Sequence, residues 1–276
     1  MPTMTRSHTL EYTLDGLPEL TLNNHRGDIN LIHDGAPGEV RITLTSNQAV
    51  DFDLIESRVD GTRVNVTIPH LPADGNSGFA LNLGVFSFAL GGGLRVDADV
   101  HCPPEAHIAL ETKYGDIDIR GRSGRAKAKT GAGDIVAEAC ESAVMTTGAG
   151  DVRVARVGSA DLNSGAGDVS VEEASGRLEI RTGTGDVHVG SSKGQLSVVA
   201  GAGDVHAAVD EGSAEVRTGM GDVTIQVPST VPVWQDLTTG VGEVRSRVPS
   251  RGEPEPGEPF VKVAARTGAG DVLLTV

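Results

Sequence analysis

A six-residue block recurs along most of this chain, and its spacing constrains the fold more than any other feature. Full copies begin at Thr130, Thr147, Ser164, Thr182, Ala200, Thr218, Thr239 and Thr267 and continue Gly-x-Gly-Asp-Val with small variations. Degenerate copies begin at Thr112 and Asn24. The acidic position falls at Asp116, Asp134, Asp151, Asp168, Asp186, Asp204 and Asp222, in steps of 18, 17, 17, 18, 18 and 18 residues. Glu243 follows after 21 residues and Asp271 after 28, so the last units carry insertions. Self-similarity at a fixed period marks an architecture of stacked repeats.

Inside each unit the period is two. Apolar residues stand four and two places before the Thr position, as in Ile108/Leu110, Ala143/Met145, Leu178/Ile180 and Leu196/Val198. They resume after the aspartate, as in Val152/Val154, Val169/Val171 and Val223/Ile225. Alternation of this kind is a strand signal. Each unit therefore reads as strand, Gly-x-Gly-Asp corner, strand and polar turn, the turns at Ser123-Gly124, Ser175-Gly176, Lys193-Gly194 and Glu211-Gly212. Two short strands cannot bury an apolar face alone, but stacked units can. The expectation is an all-β protein, a parallel β-solenoid with two short strands per 17–18-residue coil. General crossover handedness makes it a right-handed β-helix. A meander of β-hairpins turning at the glycines is the alternative.

Glycine makes up 37 of 276 residues and aromatics only 3%, as a flat coil packed from small aliphatics requires. The first coil is expected near residues 18–33 and the next at 105–120. The intervening strand-like runs, at Val40–Thr45, Phe52–Glu56, Arg63–Ile68 and Leu94–Val100, with a hairpin signal at Asp60-Gly61, would form a β-rich cap over the first end. The chain thus divides into residues 1–104, the first coil plus capping region, and residues 105–276, the solenoid repeats with a Pro/Glu-rich insert at 248–259.

The run Asp99-Val-His-Cys-Pro-Pro104, followed by Ile108–Ile119 and every later coil, resembles the bacterial putative-adhesin family, a β-solenoid domain of unknown function. The resemblance covers nearly the whole chain. It implies the solenoid with an N-terminal β region, and it supplies no catalytic residues.

Net charge is −15, which argues against nucleic acid as the partner. Cys102 and Cys140 form no disulfide framework and fit a reducing compartment. The N-terminus shows no apolar export segment, and no run of 18 apolar residues forms a membrane span. A cytoplasmic protein is the expectation.

The ladder of Asp116, Asp134, Asp151, Asp168, Asp186, Asp204, Asp222, Glu243 and Asp271 stacks like charges. At about 4.8 Å they repel by roughly 1 kcal/mol per neighbour in water. Each Asp is expected to cap its own corner by accepting backbone N–H groups. Lys129, Arg181, Arg217 and Arg266 stand near enough in sequence to help. Divalent-cation binding is the alternative, although units of this length lack the nine-residue spacing of calcium β-rolls. The Gly-x-Gly pairs lack the third glycine and the helix of a dinucleotide site and read as corner residues with positive φ. Arg26-Gly27-Asp28 falls inside a corner, so its integrin-type spelling reads as coincidence. His188 and His206 alternate with apolar residues on strands and should face solvent. No residue is assigned a catalytic, cofactor or metal role.

Two segments suggest association. Phe79, Leu81, Leu83, Phe86, Phe88 and Leu90 crowd residues 79–94, as a buried end-cap or an exposed contact site. Val272, Leu274 and Val276 lie on the last strand, an open edge unless the Pro-rich insert folds over it. The partner is then another protein or a second copy. Two functions follow: a non-enzymatic scaffold or interaction module, or a structural element stacking end to end.

Overall fold

The computed structural model describes residues 6–46, 48, 50–71, 79–83, 86–90, 94–249 and 260–276, with the backbone alone at 79–83 and 86–90. No α-helix occurs among them; one 3-10 turn, Phe52–Leu54, stands where a strand was expected. Equivalent segments of successive repeats pair in parallel and in register. Ile108–Leu110 lies on Ala126–Ala128, which lies on Ala143–Met145, then on Ala160–Leu162 and Leu178–Ile180. The hairpin alternative is thereby excluded for the repeats.

Each coil supplies one strand to each of two walls, and the apolar residues fill the gap between them. Where one wall carries Ala126 and Ala128, the segment before them in the same coil carries Ile117 and Ile119, all four buried. Large against small keeps a narrow core filled without aromatic rings. The polar turns are absent as turns. The strands Ile117–Ala132, Ile135–Ala149, Val152–Ala166, Val187–Ala202 and Val205–Met220 run from one wall to the other through a bend. Of the four expected turns, only Ser175-Gly176 breaks the strand. Inside that bend runs one column: Ser123, Cys140, Val157, Ala174, Ser192 and Val209, stacked coil on coil.

The expected first coil is present, as Glu19–Arg26 and Ile29–Ile32 paired with the coil that follows. It is not the outermost. Arg63–Ile68 and Asp97–His101 pair on its far side as one further coil, whose corner is opened by the excursion between Leu71 and Leu94. Antiparallel strands then cover this end: Glu56–Asp60 on one wall, Glu39–Ser46 and Arg6–Thr13 on the other. The Asp60-Gly61 hairpin forms as expected, with Gly61 at φ 60°.

At the other end the spatial order departs from the sequence order. Val261–Ala269 pairs with Val205–Met220 on one side and Val233–Val241 on the other. Val272–Thr275 lies between Val223–Gln226 and Val244–Ser246. The last repeat in sequence is therefore the next to last in space. The open edge expected at Val272, Leu274 and Val276 does not exist for the strand: both sides are paired, and Val272 and Leu274 are buried. Val276 alone, just past its end, is exposed.

The corners fix the stacking distance. Gly167 has φ 140°, and a Cβ built there would sit 2.1 Å from the carbonyl oxygen of Gly150 in the preceding coil. Both the backbone conformation and the space exclude a side chain. Gly167→Ala should cost about 3 kcal/mol or more, since it combines backbone strain with a clash against fixed main chain. Ala166→Ser, exposed at the same corner, should stay within about 0.5 kcal/mol of the parent. Urea denaturation midpoints of the two variants check this.

Candidate functional site

The repeated block is a stacking device in which almost every atom has a partner in a neighbouring coil. The Thr hydroxyl donates to a glycine carbonyl of the coil before: Thr130 to Gly115, Thr147 to Gly133, Ser164 to Gly150 and Thr267 to Gly221, over 2.9–3.1 Å. The first glycine carries no positive φ; a Cβ at Gly148 would meet the Gly131 carbonyl at 2.5 Å, so close approach alone requires it. The second glycine needs both, as at Gly167. The aspartate carboxylate then accepts from the backbone N–H of the next acidic residue along the stack. Asp134 donates its N–H to Asp116, Asp151 to Asp134, Asp168 to Asp151, Asp186 to Asp168, Asp204 to Asp186 and Asp222 to Asp204, each over 2.8 Å.

Two expectations are corrected here. Each Asp caps the neighbouring coil's corner rather than its own. The basic residues expected to support the ladder point elsewhere: Lys129 to Glu111, Arg181 to Glu179 and Asp161, Arg217 to Glu215, Arg266 to Asp236. Arg95 on Asp28, Arg153 on Asp151 and Arg245 on Glu243 touch the ladder instead. These pairs are half exposed, and solvent screening leaves them a minor part of what holds the ladder. The decisive comparison is between repulsion of roughly 1 kcal/mol per neighbour in water and a hydrogen bond to a charged acceptor of about 1.5–3 kcal/mol. In water the hydrogen bond exceeds the repulsion. At an effective dielectric near 20 the repulsion is several-fold larger and the two are of similar size, so each rung's hydrogen bond offsets the like-charge cost of the stack.

The ladder is longer than the repeat suggested. Asp97 accepts from the Asp28 N–H at 2.9 Å, and Asp28 from the Asp116 N–H at 3.0 Å. At the other end Asp271 donates to Asp222, and Glu243 donates to Asp271. Glu243 is thus the last rung, and its carboxylate folds back onto Arg245. The integrin-type spelling is absorbed here too. Asp28 gives one oxygen to Asp116 and the other to Arg95, while the Gly27 carbonyl accepts from Thr112. Among the described residues no three His, Cys, Asp or Glu side chains gather as metal ligands.

One polar cluster escaped the sequence. His33 is buried at the bend, with Nδ1 2.8 Å from the Pro103 carbonyl and Nε2 2.7 Å from the Ser123 hydroxyl. A carbonyl can only accept, so Nδ1 carries the proton and the Ser123 hydroxyl donates to Nε2. Cys102 Sγ lies 3.3 Å from the same Nδ1. The partners stand 69 to 90 residues apart in sequence, and only the stacking brings them together. Burial pushes the Cys102 thiol up to about 12 and the Cys140 thiol up to about 11, so neither is a nucleophile at neutral pH. Both are free.

The other singled-out segments fall as follows. Phe79–Leu83 and Phe86–Leu90 form an antiparallel hairpin, in a sheet of their own. Whether Phe79, Leu81, Leu83, Phe86, Phe88 and Leu90 are buried or exposed lies outside the described residues. The insert at 248–259 also lies outside them from residue 250 on. His188 and His206 are neighbours in register and both exposed, as expected. A shallow groove of about 420 Å³ lies on one wall, lined by Asp118, Arg120, Val136, Glu138, Arg153 and Glu172 among others. No helix among the described residues is long and apolar enough to cross a membrane.

Burial is also the main reason the His33 pKa lies below its ordinary value. Below about pH 6.5 the unfolded chain takes up a proton that native His33 resists, so stability should fall as the pH drops through that range. Urea midpoints between pH 8 and pH 5 should show this slope in the parent. His33→Gln should reduce it, leaving the part that His25, also held below its ordinary value by burial, contributes.

Several solved structures align with this chain along nearly its whole length. A protein from Parabacteroides distasonis described as a putative adhesin is 11% identical, with 98% of this chain and 97% of that one covered and a TM-score of 0.53. A putative adhesin from Bacteroides fragilis is 13% identical over 98% and 97%, with a TM-score of 0.44. A further Parabacteroides distasonis protein, described as a putative lipid binding protein, is 14% identical over 96% of each chain, again at 0.44. The first of these shows a shared fold. No curated protein matches the chain. Residues 138–274, the coils from the Asp151 rung to the Glu243 rung, match the Toastrack DUF4097 family.

Proposed function

We propose that this chain is a non-enzymatic scaffold or protein-interaction module that engages a protein partner through its lateral walls. The observation that carries this is the parallel stacking of equivalent strands, coil on coil, along each wall. It fixes the exposed residues of each wall in columns about 4.8 Å apart, on a rigid backbone. Exposed Val136, Val144 and Val199, together with the groove beside Arg120 and Glu138, break largely polar columns and offer apolar contact. The word adhesin in the description of the Parabacteroides distasonis structure is compatible with such a role. The same proposal includes right-handed winding, from the general preference of parallel crossovers. It also includes a cytoplasmic location, supported by two thiols left free in separate coils, and a partner other than nucleic acid, supported by the charge of −15.

A second function, end-to-end stacking, draws support from a different observation. Among the described residues Val233–Val241 and Val244–Ser246 are each paired on one side only, with Trp234, Val241 and Val244 exposed. Against it stands the chemistry of this end. Gln235 and Ser246 occupy positions stacked on Val263 and Leu274 of the core, and the Ser246 hydroxyl donates to Gln235 Oε1 at 2.8 Å. A polar pair bridging the two walls closes the core with groups that water satisfies. Cation binding by the outer oxygens of the ladder is the minor alternative.

Light scattering over a wide concentration range separates these functions. The scaffold predicts a bounded mass, 28.4 kDa or twice that. A mass that climbs without limit would establish stacking instead. Reproducible turnover of any member of a glycan panel would overturn the non-enzymatic assignment.

A further inference from the structure

The inverted order of the last two coils creates a slot. The coil of Val205–Met220 and Val223–Gln226 forms one side of it, and the coil of Val233–Val241 and Val244–Ser246 forms the other. Residues 227–232 carry the chain past one empty level, and the chain later returns to fill that level with residues 261–275. Among the described residues the outer coil pairs with nothing but this inserted segment. It is nevertheless synthesised first. Until residues 261–275 arrive, the outer coil has no neighbour to stack on, and the edge of the Asp222 coil is bare.

We propose that this slot is a strand-exchange site whose second occupant is residues 261–275 of another copy of the chain. Every bond that seats the segment is encoded in the repeated block and is blind to which copy supplies it. Thr267 donates to the Gly221 carbonyl at 3.0 Å, the Asp271 N–H to Asp222 at 2.8 Å, and the Gly270 N–H to the Val241 carbonyl at 2.9 Å. The Glu243 N–H donates to Asp271 at 2.9 Å, and the Val227 and Arg247 N–H groups donate to the Thr275 and Leu274 carbonyls. Buried Val261, Val263, Ala265, Val272 and Leu274 enter the same core in either case. The closed and exchanged forms thus contain the same contacts. They differ in the path of the link between residues 246 and 261 and in the concentration at which the slot is filled. Exchange is fixed at folding, because the seated segment is held on both edges.

Met220 and Ala269 are neighbours in register, both exposed at the corner. Their Cα atoms lie about 4.8 Å apart by parallel-strand spacing, within the range a disulfide spans. Full-length Met220→Cys and Ala269→Cys variants are unfolded under reducing conditions, mixed and refolded together at high concentration, and mild oxidant is added only after folding is complete. Cys102 and Cys140 are buried in the folded chain and stay silent at that stage. The expected result is a covalent dimer of twice 28.4 kDa, several-fold above the yield from either variant refolded alone, with the bond mapped to positions 220 and 269. The double variant should close within one chain at low concentration. If it closes while the mixed single variants stay monomeric, exchange does not occur. If it fails to close, the register that seats Ala269 beside Met220 is wrong, and the proposal falls with it.

Discussion

The structure depends on main chain packed directly against main chain at one corner. Glycine carbonyls stack on glycines with no room for a methyl group, and that contact sets the height of every coil. Once the height is fixed, the rest follows in order. The Thr hydroxyl reaches back to the coil before, the Asp carboxylate reaches forward to the coil after, and the flanking valines and leucines fall into buried columns. The block therefore has a direction: each coil offers a carboxylate to one neighbour and a hydroxyl to the other. A stack of this kind needs a different chemistry at each end, and it has one. At one end Asp97 begins the ladder beneath antiparallel strands. At the other, Glu243 turns to Arg245, and Gln235 and Ser246 replace core residues.

A ladder of carboxylates in a protein of net charge −15 invites a search for cations or basic partners. The geometry gives a simpler cause. Each rung is a charged acceptor on a backbone donor that would otherwise be stranded at a tight corner, and that bond offsets the like-charge cost at this spacing. The acidic rib is a by-product of capping. What is left for function is the outward column on each wall, where residues vary from coil to coil while their positions do not.

Much of this was legible because the physics is local and repeated. The spacing of Asp116 to Asp222 and the apolar pairs around each corner specify a stack, its period and its core. Three things were not legible. Asp97 is a rung with no Gly-x-Gly before it, since an excursion replaces its corner. His33 and Ser123 meet only because coils stack, and no local pattern announces a contact across 90 residues. The order of the last two coils was hidden because Thr239–Val244 and Thr267–Val272 carry the same stacking chemistry and fit either level. The available signals were polar: Gln235 and Ser246 at positions that are apolar elsewhere, and Glu243 where every other full copy has aspartate. Two facing core positions that turn polar together, as Gln235 and Ser246 do, mark the end of this stack.

The central claim is that each carboxylate holds the next coil rather than its own. Amide hydrogen exchange in Asp186→Ala tests it most directly. The Asp204 N–H, which donates to Asp186, should lose protection at least tenfold relative to the parent, while the N–H of residue 186, which donates to Asp168, keeps its own. Loss of protection at residue 186 with Asp204 unchanged would mean that each aspartate caps its own corner, and would contradict the account.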